Sequence, residues 1–212
     1  MRRAGNANRR LVRRTAQLFA GLLLYGAGMA LMVASRLGLT SWDVFHQGLS
    51  KVTGLSFGSV VILLGIPILV LWIPLRQRPG FGTLANLVVI GLVVDGALAA
   101  IPDASLPVRI GYLATGIVII GIGTGLYIGA RMGPGPRDGL MTGMVARFPR
   151  LSIRAVRTAL ELTVLGLGWL LGGTVGLGTL AFALSIGPLA QLFIPMFTVP
   201  AEHDAPVPVS AH

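Results

Sequence analysis

The second half of this chain repeats the first. At a shift of 95 residues, "GAGMALMVASRLGLTSWDVFHQGL" (26–49) lies over "GIGTGLYIGARMGPGPRDGLMTGM" (121–144). Seven of the 24 positions are identical: Gly26/Gly121, Gly28/Gly123, Leu31/Leu126, Arg36/Arg131, Gly38/Gly133, Asp43/Asp138 and Gly48/Gly143. At a shift of 96, Ser56, Val60, Leu64, Leu69 and Leu71 meet Ser152, Val156, Leu160, Leu165 and Leu167. "GTLANLVVIG" (82–91) then meets "GTLAFALSIG" (178–187) with six of ten identical. A register held over three separated blocks, with one residue inserted after the first, marks a duplication, which restricts the fold to two copies of one unit.

The unit is apolar. The chain of 212 residues is 54% hydrophobic and 11% charged, with a mean hydropathy of +0.81, whereas a soluble domain carries about 25% charged residues. Its apolar runs approach the roughly 20 residues that cross a bilayer as a helix. Six such segments can be drawn, at 15–34, 57–75, 83–101, 109–130, 153–172 and 178–198. The expected fold is therefore an all-α polytopic membrane bundle of six spans, three per copy. With no cysteine, disulfides, thiol chemistry and Cys-rich metal sites are excluded.

The net charge of +10 reads as topology and gives no reason to expect a nucleic-acid partner. With the N-terminus in the cytoplasm, 14 of the 17 cations fall on the cytoplasmic side, and only Arg36, Lys51 and Arg109 fall outside. The positive-inside rule then places both termini in the cytoplasm. Because each copy has an odd number of spans, the second must enter from the opposite face, giving inverted repeats. The expected layout is a basic N-terminus (1–14), repeat one (15–101), an outside turn (102–108), repeat two (109–198) and a disordered cytoplasmic tail (199–212). The Arg-rich start resembles a signal peptide with "VAS" near Ser35 as its end. Its alignment with an internal segment argues that it belongs to the fold.

Gly26, Ala30 and Ala34, and their counterparts Gly121, Gly125 and Gly129, recur every four residues on the first and fourth spans. Small residues at that spacing let backbones approach closely in lipid, so they are expected to form the seam between copies. "GIGTG" has no preceding strand and fails as a nucleotide-binding fingerprint. No Walker lysine motif, HExxH or GxSxG occurs. Neither a cofactor nor enzymatic activity is expected.

After the first and fourth spans come "RLGLTSWDVFHQGL" and "RMGPGPRDGLMTGM". Arg36 and Arg131 are each followed by a Gly two residues on and by Asp43 or Asp138 seven residues on. Gly, Pro, Thr and Ser stop the long helix, and each Asp stands where a carboxylate suits a new helix N-terminus. Segments 36–50 and 131–145 have two readings: surface helices capped by Asp, with interfacial Arg, or half-helices dipping back to a transport site. His46 is a candidate for a metal or proton role by residue type, but its counterpart is Met141 and no second His lies nearby. Asp95 lies some 12 residues into the third span, and an ionisable group at such depth defaults to function. Its counterpart is Gln191. Asp95 is either a proton acceptor or a structural hydrogen-bonding group, with Gln191 or Asn86 as partner. Arg157 and Glu161 are expected to pair along one helix. Pro67, Pro74, Pro188 and Pro195 should kink their spans, and Trp72 and Trp169 read as interfacial.

At these residues the chain resembles the YczE/YitT group of bacterial integral membrane proteins, closer to YczE. The likeness rests on the Gly-rich first span followed by "SWDVFHQGLSKVTGLSFG", on "GTLANLVVIGLVVD", and on "GPGPRDGLMTG" with the closing "GTLAFALSIGPLAQ". It implies a small multi-span protein of the bacterial plasma (inner) membrane with no established activity and carries over no site residue. The expected function is a permease for a small solute, with proton coupling through Asp95 as one form of it. Its polar pathway would draw on Asp95, Gln191, Asn86, Asp43, Asp138, Arg36 and Arg131. The alternative is a non-transporting accessory or scaffold protein that meets a partner through the basic loop 131–157. The expected partners are the lipid bilayer and a small solute.

Overall fold

The computed structural model describes residues 2–148 and 150–199, with side chains from Arg9 onward. The tail 200–212 lies outside the described residues. These contain eight helices and no strand: α1 (Arg2–Ser35), α2 (Ser41–Thr53), α3 (Phe57–Trp72), α4 (Phe81–Ala100), α5 (Leu106–Gly129), α6 (Pro136–Arg147), α7 (Ile153–Leu170) and α8 (Leu177–Phe197). Four of them, α1, α4, α5 and α8, are long and apolar enough to cross a membrane. α2 and α3 together make a fifth if the pair, bent by 109°, counts as one span. The fifth drawn segment, α7, carries Arg154, Arg157 and Glu161 in its first half and does not qualify.

Contacts set the directions. Phe19 meets Phe81 edge-on, and Gly26 meets Ile90 and Val93, so α1 and α4 run parallel. Gly121, Gly125 and Gly129 meet Leu189, Phe193 and Phe197, so α5 and α8 also run parallel. α1 and α5 cross antiparallel, with Gly21 against Gly123 and Gly28 against Gly116. The chain must therefore travel back between α1 and α4 through α2 and α3. The Gln17 amide donates to the Phe197 carbonyl at 2.7 Å, which brings the start of α1 and the end of α8 to one face. That end of the bundle is its terminal face.

The α1–α5 seam is dry. A Cβ on Gly28 would lie 2.9 Å from the Gly116 carbonyl, and one on Gly123 2.8 Å from the Gly21 carbonyl. The seam is thus made by Gly21, Gly28, Gly116 and Gly123, spaced by seven. The four-residue stripe Gly26, Gly121, Gly125 and Gly129 faces α4 and α8 instead. This corrects the expected seam. Ala30 is fully buried and Ala34 half-buried on the same stretch of α1. Both helices carry small residues on two faces, and sequence spacing cannot assign a partner to each face.

α1 and α5 stop by the same device. Arg36 and Arg131 take left-handed φ of 55° and 52°, followed by Gly38 and Gly133 at 128° and 126°. A non-glycine in that region costs about 1 kcal/mol, offset here by reciprocal backbone bonds. Gly82 N–H donates to the Met132 carbonyl at 2.8 Å, and Gly178 N–H donates to the Leu37 carbonyl at 2.9 Å. Each half thus anchors the last helix of the other. Thr179 Oγ1 accepts from Leu39 N–H, while Thr83 Oγ1 donates to the Pro134 carbonyl.

The short helices are also exchanged. α2 packs on α7, where Gly48 meets Gly168 and Leu171, and Lys51 Nζ donates to the Gly172 carbonyl at 2.6 Å. α6 packs on α3, where Trp72 fills the space that a Cβ on Gly139 would need. Trp72 is 1% exposed and its indole N–H donates to the Pro136 carbonyl at 3.0 Å, so it is a core residue and not an interfacial one. Pro67, Pro188 and Pro195 lie inside their helices, whereas Pro74 follows the end of α3.

Candidate functional site

The starts of α2 and α6 point inward and meet beside Tyr25, which sits at the middle of the apolar stretch of α1. Thr40 caps α2, its hydroxyl accepting from Asp43 N–H. Asp43 is 2% exposed and faces His46, with Nδ1 to Oδ1 at 3.3 Å. His46 in turn lies between the Trp42 and Phe57 rings. On α6, Arg137 donates to the Tyr25 hydroxyl and lies with its Cζ 5.8 Å from the Tyr25 ring centroid. Tyr127 packs edge-on against Tyr25 and donates to Asp138 Oδ2 at 3.0 Å. Asp43 and Asp138 are therefore interior groups and do not cap surface helices. A charged group buried this far is retained only where it has partners or work to do.

Two cavities flank this cluster and share Tyr25, Trp42, Tyr127, Arg137 and Asp138 as walls. The first, of about 70 Å³, lies toward α3 and α4 and is lined by Met29, Asp43, His46, Gly65, Asn86 and Leu87 among others. The second, of about 580 Å³, lies between α7 and α8. Its walls include Thr40, Thr124, Arg157, Glu161, Phe182, Gly187 and Gln191. A volume of several hundred Å³ is in the range of small-molecule sites. Most of its lining residues lie on the terminal-face halves of α5, α7 and α8, so it lies toward that face.

The predicted residues divide accordingly. Asp138 and Gln191 line the large cavity, while Asp43 and Asn86 line the small one. Asp95 lines neither. Its carboxylate sits at the N-terminus of α3, accepting from Gly58 N–H at 2.7 Å and from the Ser56 hydroxyl at 2.5 Å. Neither Gln191 nor Asn86 is its partner. Arg36 lies at the surface, paired with Asp103 at 2.5 Å. The Arg131 carbonyl accepts from Arg14, and its backbone closes the left-handed turn described above. Arg157 and Glu161 both face the large cavity without forming the expected ion pair.

Sequence reasoning missed Tyr25, Tyr127, Trp42 and Arg137. Arg137 counted as one more cytoplasmic cation, yet it reaches the interior. The signal was its position: it aligns with Trp42, the residue just before the repeated Asp in the other half. Among the described residues no group of three or more His, Asp or Glu is placed to hold a metal ion.

Comparison with known proteins fits this architecture to a lineage. Residues 12–195 match the model of a family of unknown function, DUF6198. The chain belongs to that family. An uncharacterised protein of Haemophilus influenzae is 44% identical over 178 residues, covering 84% of this chain and 81% of that protein. The uncharacterised membrane protein YczE of Bacillus subtilis is 34% identical over 189 residues, covering 87% of each. A second Bacillus subtilis protein, the uncharacterised YyaS, is 29% identical over 181 residues, 83% of this chain and 90% of that one. The resemblance to YczE inferred from motifs therefore holds over the whole bundle. No solved structure matches. With its long apolar helices and a relative described as a membrane protein, this DUF6198 member is an integral membrane protein.

Proposed function

We propose that the chain is a small-solute permease whose two halves lie inverted in the membrane. The six segments are α1, α2–α3, α4, α5, α6–α7 and α8. The observation that carries the proposal is an inequality between matched seams. On one side α7 and α8 stand apart around a 580 Å³ cavity lined by Arg137, Asp138, Arg157 and Glu161. On the other side α3 and α4 close down to a cavity of about 70 Å³.

The closure is atomic. Cβ atoms on Gly58 and Gly91 would strike the facing helix. Asp95 then ties the end of α4 to the start of α3. At matched positions the open seam carries Arg154 for Gly58 and Gln191 for Asp95, and Gly187 with nothing within 4 Å of its Cβ position. Inverted repeats with a site between them are the build of secondary transporters, which expose that site to one face at a time. In this reading the structure is open at the terminal face and latched by Asp95 at the other. The parallel pairs α1/α4 and α5/α8, and the termini sharing one face, support the inverted six-segment layout. The coupling role expected of Asp95 passes to the cavity carboxylates Asp138 and Glu161, because Asp95 reaches neither cavity. A scaffold would be served by the dry α1–α5 seam alone, and the charged cavity beside it favours transport.

The native absence of cysteine makes the test clean. Single substitutions Ala190→Cys, in the large cavity, and Val61→Cys, beside the small one, are reacted with a charged maleimide in sealed vesicles. Ala190→Cys should react from the terminal face only and Val61→Cys slowly. Asp95→Asn should raise Val61→Cys labelling from the opposite face and lower that of Ala190→Cys. Labelling unmoved by any such change would remove the permease reading.

A further inference from the structure

The large cavity contains charges that lack partners. Arg137 makes one hydrogen bond, to the Tyr25 hydroxyl. Asp138 and Asp43 lie within its field without pairing to it. A guanidinium has five N–H donors in a planar fork, so most of this one remains available to the cavity. Glu161 faces the same space from α7 and has no ion-pair or hydrogen-bond partner, nor does Arg157 one turn before it. The four ionic groups of the wall, Arg137, Arg157, Asp138 and Glu161, sum to zero charge. Asp43 and His46 face one another in the wall of the small cavity, Nδ1 to Oδ1 at 3.3 Å, and do not line the large one.

An occupant must suit that pattern. A dianion would leave the cavity and its wall two charges negative, and a simple cation would leave Arg137 unanswered. Uncompensated charge in a low-dielectric interior is costly. A solute bearing one carboxylate and one ammonium keeps the balance and supplies what each side lacks. The carboxylate takes the free edge of the Arg137 fork, a geometry suited to bidentate pairing, and the ammonium meets Glu161. The rest of the wall is uncharged, mixing Ile128, Leu160, Phe182 and Ile186 with Thr124 and Gln191, and receives an uncharged side group.

We infer that the large cavity is a binding site for a zwitterionic, amino-acid-like solute, held between Arg137 and Glu161. The inference rests on the permease reading for its physiological sense but is tested by binding alone. The readout is protection of Ala190→Cys from maleimide in detergent-purified protein, with three probes of one carbon skeleton. L-Leucine carries both charges, 4-methylpentanoate only the carboxylate, and isopentylamine only the ammonium. L-Leucine should protect at about tenfold lower concentration than either analogue, as expected when a charged partner is left unmatched. Glu161→Gln should bring L-leucine and 4-methylpentanoate to equal potency. Arg137→Lys, which keeps the charge but loses the fork, should weaken L-leucine and 4-methylpentanoate together and leave isopentylamine unmoved.

Equal protection by a singly charged analogue in the unsubstituted cavity overturns the inference, as does protection by none of the three. Protection by dihexanoyl phosphatidylethanolamine and not by L-leucine assigns the zwitterion to a lipid headgroup and overturns the free solute. Vesicle labelling that switches faces while no probe protects leaves the permease and removes this ligand class. Protection by L-leucine without any switch leaves the site and removes the permease.

Discussion

The α3–α4 seam and the α7–α8 seam descend from one duplicated unit and now do opposite things. Position by position, Gly58 faces Arg154, Gly65 faces Glu161, Leu87 faces Ala183 and Asp95 faces Gln191 in the alignment. Gly65 leaves a hollow that the Leu87 side chain fills. Glu161 at the matched position has no room for such a knob and points into open space, while Ala183 supplies none. A few exchanges of small for charged residues therefore turn a packed seam into a cavity. Packing at van der Waals distance needs both surfaces to cooperate, so changing either one is enough to lose it.

The comparison can be broken most severely at Gly91. Gly91→Leu should cost about 3 kcal/mol or more through overpacking, because its Cβ alone would lie 2.5 Å from Ile62 Cγ1 and 2.7 Å from the Gly58 carbonyl. Gly187→Leu, at the matched position, should leave the thermal unfolding midpoint in detergent nearly unchanged and only fill the cavity. Equal losses at the two sites would show that the seams are packed alike. Next comes the α3–α6 contact. Trp72→Ala removes a buried ring and its indole hydrogen bond, an expected loss of about 3–5 kcal/mol. Trp169, 64% exposed, should tolerate the same change within about 1 kcal/mol; chemical unfolding of the two variants measures the difference.

A smaller effect tests the latch. Asp95→Asn leaves one of two accepted bonds intact and should cost about 1–2 kcal/mol, read as a lowered midpoint. Gln191→Asp should give no gain, since no helix N-terminus meets it. Smallest of all, Arg36→Ala should change stability by less than about 0.5 kcal/mol. Its pair with Asp103 is exposed, at 63% and 86% of the two side chains, and such pairs are worth little.

Much of the architecture was legible in advance. Helix positions follow from apolar runs and from the Gly, Pro and Ser that interrupt them. The duplication foretold the paired turns at Arg36 and Arg131. The site was less legible for a specific reason. Asp95 looked functional because depth along a helix can be counted, but which neighbour a side chain meets cannot. It caps α3, and the capping signal, Ser56 before the apolar run of α3, was present but lay 39 residues away. Arg137 was hidden for the converse reason: an arginine among loop-like residues scores as a topology marker until the loop proves to be a helix directed inward.

By itself the sequence determined that this is an all-helical, apolar, duplicated chain, because hydrophobic length and repeat register are properties of residue order. The tertiary structure alone decided which faces meet. Each helix offers small residues on more than one side, and glycine spacing is indifferent to partner. Only the packed bundle assigned Gly21, Gly28, Gly116 and Gly123 to the seam, exchanged α2 and α6 between the halves, and left one of two equivalent gaps open around Arg137.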